Sequence, residues 1–212
     1  KSAKKNKTIV ACLIEQGTFN KNKNKNKNYK IKDERLNKEF FLRNLLESFQ
    51  PNTRVISSTG YTSRELLYLR NKYIFKNSKD FYMVGGMGHS SSVALGYAIQ
   101  SKTKVFCLDG DGSILMHLGS LRTIGHLGNK NFKHIILNNN SHESVGGQMT
   151  SANGIDFKKL SLSVGYKNFF IIKNKKNIKS KIKNFIKAKG PSLLEVKIGI
   201  GSMRNLSRPN NL

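Results

Sequence analysis

The chain has 212 residues, 37% of them hydrophobic, with a net charge of +26. That length can bury one substantial core, so an α/β domain is the default. No apolar run approaches the roughly 20 residues that cross a bilayer, and two cysteines, Cys12 and Cys107, provide no disulfide framework, so the chain reads as cytoplasmic with no membrane partner.

The charge invites a nucleic-acid reading. A phosphate-binding patch usually clusters on one face and interleaves Arg and aromatic residues. Here the excess is mostly Lys, spread along the chain among many Asn, with no recognition motif beside it. Nucleic acid is therefore a disfavoured partner, and the charge reads as a solvated lysine surface.

In chain order, Thr8 to Ile14 is apolar and β-branched enough for a strand, ended by Gly17-Thr18-Phe19. Asn20 to Asn28 alternates Lys and Asn and cannot bury the apolar area that would offset its ordering entropy, so residues 20–34 read as a flexible linker. Beyond it, helix and strand alternate. Helices are expected over Arg35 to Phe49, Ser63 to Asn71, Ser90 to Gln100, Ser113 to Leu127, Phe157 to Val164 and Asn177 to Ala188. Strands are expected over Arg54 to Ser57, Phe81 to Val84, Lys104 to Leu108, His134 to Leu137, Asn168 to Ile172 and Ser192 to Ile198. That alternation predicts a doubly wound α/β fold, a mainly parallel sheet with helices on both faces.

The chemistry concentrates between Val105 and Thr150. One strand runs into Gly110-Asp111-Gly112-Ser113, the next into Asn138-Asn139-Asn140. One carboxylate and several carboxamides at strand ends make a set of hard oxygen ligands, which suits Mg²⁺ shared with a substrate phosphate. The glycines allow the backbone close to a diphosphate, and the helix start offers unpaired N–H groups. Ser57-Ser58-Thr59-Gly60 and Gly85-Gly86-Met87-Gly88 also fall at strand ends, where ligands of such sheets bind. Asp109 reads as a strand-end residue. His117, His126 and His134 read as helix or strand-edge residues, and Glu143 could orient His142 or face solvent.

These blocks together resemble the thiamine-diphosphate (ThDP)-dependent decarboxylases. The stretches DGDGSILMHLGSL and NNNSHESVGGQMT, with SSTGYTSREL and GGMGHSSSVALGYA, are most similar to the phosphonopyruvate decarboxylase family, with the sulfopyruvate decarboxylase β subunit a near relative. The resemblance runs from about residue 8 to the C-terminus. It implies ThDP and Mg²⁺ as cofactors and a small 2-oxo acid with a second anionic group as substrate. It implies Asp111, the Asn139 carboxamide and the Ser141 carbonyl as metal ligands. Gly110, Gly112 and Ser113 would meet the diphosphate, and Thr59 and Gly60 another side of the cofactor. Met87 would prop ThDP into a bent form, with the Gly85 carbonyl facing its 4′-amino group. His89 and His142 would serve in proton transfer or anion binding, and Arg204 and Arg208 in a grip on a phosphonate.

The same resemblance implies a division of the chain. Residues 1–19 resemble the tail of a pyrimidine-binding domain, and 35–212 the diphosphate-binding domain. The lack of an initiating Met fits a fragment. The glutamate that activates the aminopyrimidine would lie outside this chain, so an upstream domain or a separate subunit is expected as partner, in a homo-oligomer. Alone, the chain is expected to be catalytically incompetent.

Overall fold

The structure is a computed structural model that describes residues 13–15, 35–51, 53–73, 79–203 and 205–209. The chain divides into two units, Lys1–Lys32 and Asp33–Leu212, and among the described residues the regular elements lie in the second. The expected strand at Thr8 to Ile14 and the Lys/Asn linker lie outside the described residues, apart from Leu13 and Ile14, which have no regular structure. Arg204 lies outside them too.

Six strands form one wholly parallel sheet. They are β1 (Arg54–Ser57), β2 (Phe81–Tyr82), β3 (Val105–Gly110), β4 (Phe132–Asn138), β5 (Asn168–Ile172) and β6 (Ser192–Lys197). The helices are α1 (Lys38–Glu47), α2 (Tyr61–Lys72), α3 (Ser90–Gln100), α4 (Asp111–Met116), α5 (Ser120–Leu127), α6 (Phe157–Ser163) and α7 (Ile178–Lys187).

Both sheet faces are covered, so the central strands are buried along their length and mostly apolar rather than regularly alternating with polar residues. The side-chain period of two still divides β3. Phe106 and Leu108 join Val55, Leu137 and Leu194 in a core capped by α1, α2 and α7. Val105 and Cys107 join Ile56, Ile136 and Leu193 in the opposite core, capped by α3, α5 and α6. At the start of α1 the Asn37 side chain accepts from Phe40 N at 3.0 Å, which satisfies one of the unpaired helix N–H groups. The expected doubly wound parallel fold is what forms.

Strand order is β2-β1-β3-β4-β6-β5. The chain leaves β1 toward β2 on one side and leaves β3 toward β4 on the other. The carboxyl ends of β1 and β3 therefore diverge, which opens a crevice between their loops. Ser58-Thr59-Gly60 and Gly110-Asp111-Gly112 flank that crevice.

Two expected elements change. The helix expected over Ser113 to Leu127 is two helices, because His117 leaves helical geometry at φ −134°, ψ 53° and α5 restarts after Gly119. The strand expected to reach Val84 stops at Tyr82, where the chain enters the glycine turn. Asp109 and His134 are also deeper than a strand end or edge implies. Both are fully buried within β3 and β4, with His134 Nε2 3.6 Å from Asp109 Oδ2 and His134 Nδ1 2.9 Å from the Tyr166 hydroxyl.

Candidate functional site

The crevice is a pocket at the carboxyl end of the sheet. It brings together Thr59, Met87, Gly110, Asp111, Gly112, Ser113, Asn139, Ser141 and His142, residues that arrive from four separate loops.

Asp111 opens α4 directly from β3, and its carboxylate is buried. The Thr150 hydroxyl donates to Oδ2. Burial pushes the carboxyl above the ordinary carboxylate range, and hydrogen bonds from Thr150 and the Asn139 N–H pull it back. A buried carboxylate held so is ready to meet a cation.

Gly112 follows. A Cβ there would strike the His142 ring and sit 3.0 Å from Thr150 Cγ2. Glycine at this position leaves the loop after β4 room to close over the turn. Ser113 fastens the other side, with its hydroxyl accepting from Gly88 N at 3.0 Å and from Ser58 Oγ at 2.9 Å. With both lone-pair directions taken, its own proton is left to donate.

The three asparagines have three different tasks. Asn138 Nδ2 donates to Glu195 Oε1 at 2.7 Å, and its Oδ1 accepts from Asn140 N at 3.2 Å, so it braces the turn. Asn140 takes the left-handed conformation at φ 57°, which its short polar side chain tolerates. Asn139 faces the pocket. Its Oδ1 accepts from Ser141 N at 3.0 Å, and its Nδ2 donates to Glu143 Oε2 at 2.8 Å. The loop then folds back, with His142 N donating to Gln148 O at 2.8 Å and Thr150 N to Asn140 O at 3.1 Å. That return delivers Thr150 to Asp111.

The remaining expected residues lie outside this wall. Gly60 takes φ 82° just before α2, with Ser144 close against its Cα. Gly85, at φ 73°, has open space around it. His89 is exposed, with its ring centroid 4.1 Å from that of His117, so His117 is not an isolated helix residue. Arg208 is exposed. Glu143 neither orients His142 nor faces solvent alone, since its carboxylate is shared between Asn139 and Gly201 N, the latter at 2.6 Å. Sequence reasoning passed over Lys38, Ser58 and Thr150. Lys38 lines the pocket from the first turn of α1, and nothing in its local sequence distinguishes it from the surrounding lysines.

The donor set fits a divalent cation carrying a diphosphate. A buried carboxylate, a carboxamide and main-chain groups converge on one pocket, beside a turn where a side chain has no room. Asp111, Asn139 and Ser141 are the residues that could hold Mg²⁺, and Gly112 and Ser113 the ones that could meet the phosphates.

Comparison with known proteins points the same way. Residues 58–196 match the family described as thiamine pyrophosphate enzyme, C-terminal TPP binding domain; thiamine pyrophosphate is another name for ThDP. The chain is 35% identical over 168 residues to a phosphonopyruvate decarboxylase of Streptomyces viridochromogenes, covering 79% of this chain and 41% of that protein. It is 39% identical over 109 residues to the sulfopyruvate decarboxylase subunit beta of Methanocaldococcus jannaschii, covering 51% of this chain and 55% of that one. To the corresponding subunit of Methanococcus maripaludis it is 31% identical, over 72% of this chain and 80% of the relative. The chain thus spans less than half the length of the phosphonopyruvate decarboxylases it matches. No helix among the described residues is long and apolar enough to cross a membrane. A parallel sheet whose switch-point crevice gathers Asp111, Asn139 and the Gly112 turn, matched over residues 58–196, makes this chain a member of the thiamine pyrophosphate enzyme family, through its C-terminal TPP-binding domain.

Proposed function

We propose that this chain supplies the diphosphate- and Mg²⁺-binding half of a 2-oxo acid decarboxylase, one that converts 3-phosphonopyruvate to phosphonoacetaldehyde and CO₂ without oxidation. The observation that carries the reading is the meeting of Asp111, Asn139 and Ser141 in one pocket beside the Gly112 turn. When bound, the cofactor supplies a thiazolium ring that accepts the electron pair left as CO₂ departs.

The chain's own residues do the holding. Asp111 and Asn139 anchor the cation, and Ser113 offers its remaining proton to a phosphate oxygen. Met87 stands on the wall between the β1 and β3 loops, where a bulky flexible side chain supports a bent ligand. His142 borders Gly112, within reach of any proton moved at that side of the pocket.

The other half of the site would come from a pyrimidine-binding domain or subunit. Val84, Met116, Val145 and Met149 stand exposed on the segments that follow β2, β3 and β4 at the carboxyl end of the sheet, an apolar surface that a second domain would cover. Sulfopyruvate decarboxylation is the second reading. It is favoured by the identity of 39% over 109 residues to the sulfopyruvate decarboxylase subunit beta of Methanocaldococcus jannaschii.

The test is CO₂ release by the chain together with its pyrimidine-binding half, with ThDP and Mg²⁺ present. Phosphonopyruvate, sulfopyruvate and pyruvate are offered side by side. Preference for phosphonopyruvate supports the proposal, and preference for sulfopyruvate moves it to the second reading. No turnover of any of the three, with cofactor bound, overturns both.

A further inference from the structure

A buried charge cluster lies behind the metal side of the pocket, and no motif announces it. Lys38 on α1 is 4% exposed and Glu65 on α2 is 1% exposed. Lys38 Nζ lies 3.4 Å from Glu65 Oε1 and 3.7 Å from Glu143 Oε2. Each carboxylate has a second duty. Glu143 receives Asn139 Nδ2 at 2.8 Å and Gly201 N at 2.6 Å, and Glu65 receives Met203 N at 3.0 Å. Glu65 Oε2 has no hydrogen-bond partner among the described residues.

Charges buried to this degree are costly unless paired, and such clusters rarely repay their desolvation in stability alone. This one is joined to a ligand residue. A carboxamide presents either its oxygen or its nitrogen to a cation, and the two faces differ by a half-turn of the side chain. A carboxylate fixed on Nδ2, with the Ser141 N–H on Oδ1, removes that freedom and leaves the second lone pair of Oδ1 as the face available elsewhere. Glu143 can do this only while it stays in place. Lys38 compensates its charge, and Lys38 is itself held by Glu65. The Gly201 and Met203 N–H bonds bind the segment after β6 to the same two carboxylates.

We propose that Lys38, Glu65 and Glu143 are positioning residues for Asn139: a charge triad that locks its carboxamide oxygen-first for the cation and pins the segment from Gly199 to Met203 beside the pocket. The inference rests on the Mg²⁺-diphosphate reading of the site. Outer partners of metal ligands typically change metal affinity by about 10–100-fold when removed.

The test is the Mg²⁺ concentration for half-saturation, followed calorimetrically at fixed ThDP, using the chain with its pyrimidine-binding half. The melting temperature of each unliganded variant is recorded alongside. Glu143→Ala is expected to raise half-saturation about tenfold or more. Glu143→Gln keeps an acceptor for Asn139 Nδ2 and should stay within about threefold of wild type, a rescue that mere loss of packing would not give. Lys38→Met leaves two uncompensated carboxylates and should weaken binding as much as Glu143→Ala. Adding Glu65→Gln to Lys38→Met removes one of those charges and should recover most of the loss.

If folded Glu143→Ala and Glu143→Gln both bind Mg²⁺ like wild type, the triad does not position Asn139. Equal losses in Ala and Gln overturn it as well. Should Lys38→Met not fold, the Glu143 pair decides alone. If wild type binds no Mg²⁺ with ThDP, the functional reading fails and takes this inference with it.

Discussion

The loop after β3 and the loop after β2 border one pocket but are built in opposite ways. The first is buttressed on every side: Thr150 and Asn139 hold Asp111, and Ser58 and Gly88 hold Ser113. The second, Val84 to His89, is more open, with Val84, Gly85 and His89 exposed, open space around Gly85 and the His117 ring against His89, while Gly88 is its buried tie to Ser113. A diphosphate site needs rigid, desolvated donors, and a preformed cradle loses little entropy when the anion arrives. A loop that meets the organic part of a cofactor and a second domain takes its final packing from them. One half of the pocket is finished in this chain; the other is left more open.

That contrast is broken most severely at Asp111. Asp111→Ala removes a buried carboxylate of the pocket and leaves Thr150 and the Asn139 N–H aimed at a void. The expected result is loss of Mg²⁺-dependent ThDP binding by at least 100-fold, beyond the effect of removing an outer partner. Titration calorimetry at saturating Mg²⁺ measures it. Affinity within threefold of wild type would mean that the cation is held elsewhere.

The two glycines Gly112 and Gly85 sharpen the comparison, because they are glycines for different reasons. Gly112 has an ordinary backbone but no room, since a Cβ would push into His142 and Thr150. Gly85 has room but a left-handed φ of 73°. Gly112→Ala should therefore cost about 1–3 kcal/mol in stability through overpacking and weaken cofactor binding together with it. Gly85→Ala should cost about 1–2 kcal/mol from backbone conformation alone, with diphosphate binding unchanged. Urea denaturation with parallel binding isotherms separates the two. A Gly85→Ala variant that loses diphosphate affinity would show that the open loop is coupled to the cradle.

Most of the fold was legible because both signals it depends on are local. The strands at Arg54–Ser57 and Asn168–Ile172 are as expected, and others shift by one or two residues, since apolar runs between turn residues mark buried parallel strands directly. Asp111, Asn139 and Gly112 were expected where strands end, and the structure brings them to one pocket there, while the part each would play in holding a cation came from the resemblance. The break at His117 was not. Apolar spacing continues straight through Met116 and Leu118, and periodicity does not register that Gly88 comes against Ser113 O, Met116 and His117 from another loop. Lys38, Glu65 and Glu143 were illegible for a similar reason. Each is a charged residue on a helix or turn, which by default reads as solvated surface, and only the meeting of α1, α2 and the β4 loop buries them.

Met87 tests the open side more gently. It lines the pocket yet remains partly exposed in this chain, so truncation here removes few buried contacts. Met87→Ala should leave Mg²⁺-diphosphate affinity within about twofold and stability within about 1 kcal/mol. Turnover by the assembled enzyme should fall further than either, because a side chain that supports the bent cofactor affects the reacting geometry and not the anchor. Inorganic diphosphate as ligand, compared with ThDP, isolates the two contributions. Equal losses for both ligands would place Met87 with the cradle and erase the distinction between the loops.

The smallest expected effect concerns Glu65, the member of the triad that does not line the pocket. Burial is the main cause that raises its carboxyl above its ordinary value of 4.5, with Lys38 and the Met203 N–H opposing. A raised folded pKa means that the native state binds a proton more readily than the unfolded chain does in that window. Stability from this group is full below about 4.5 and is lost as pH rises through the folded value. Glu65→Gln cannot titrate, so the difference in unfolding free energy between wild type and variant should shift in favour of the variant as pH climbs from 4.5 toward 7. Urea unfolding of both proteins across that range gives the difference directly and cancels the titration of every other carboxylate. A flat difference would mean that Lys38 fully offsets the burial of Glu65. The triad would then be an ordinary ion pair, with Glu143 alone left to hold Asn139.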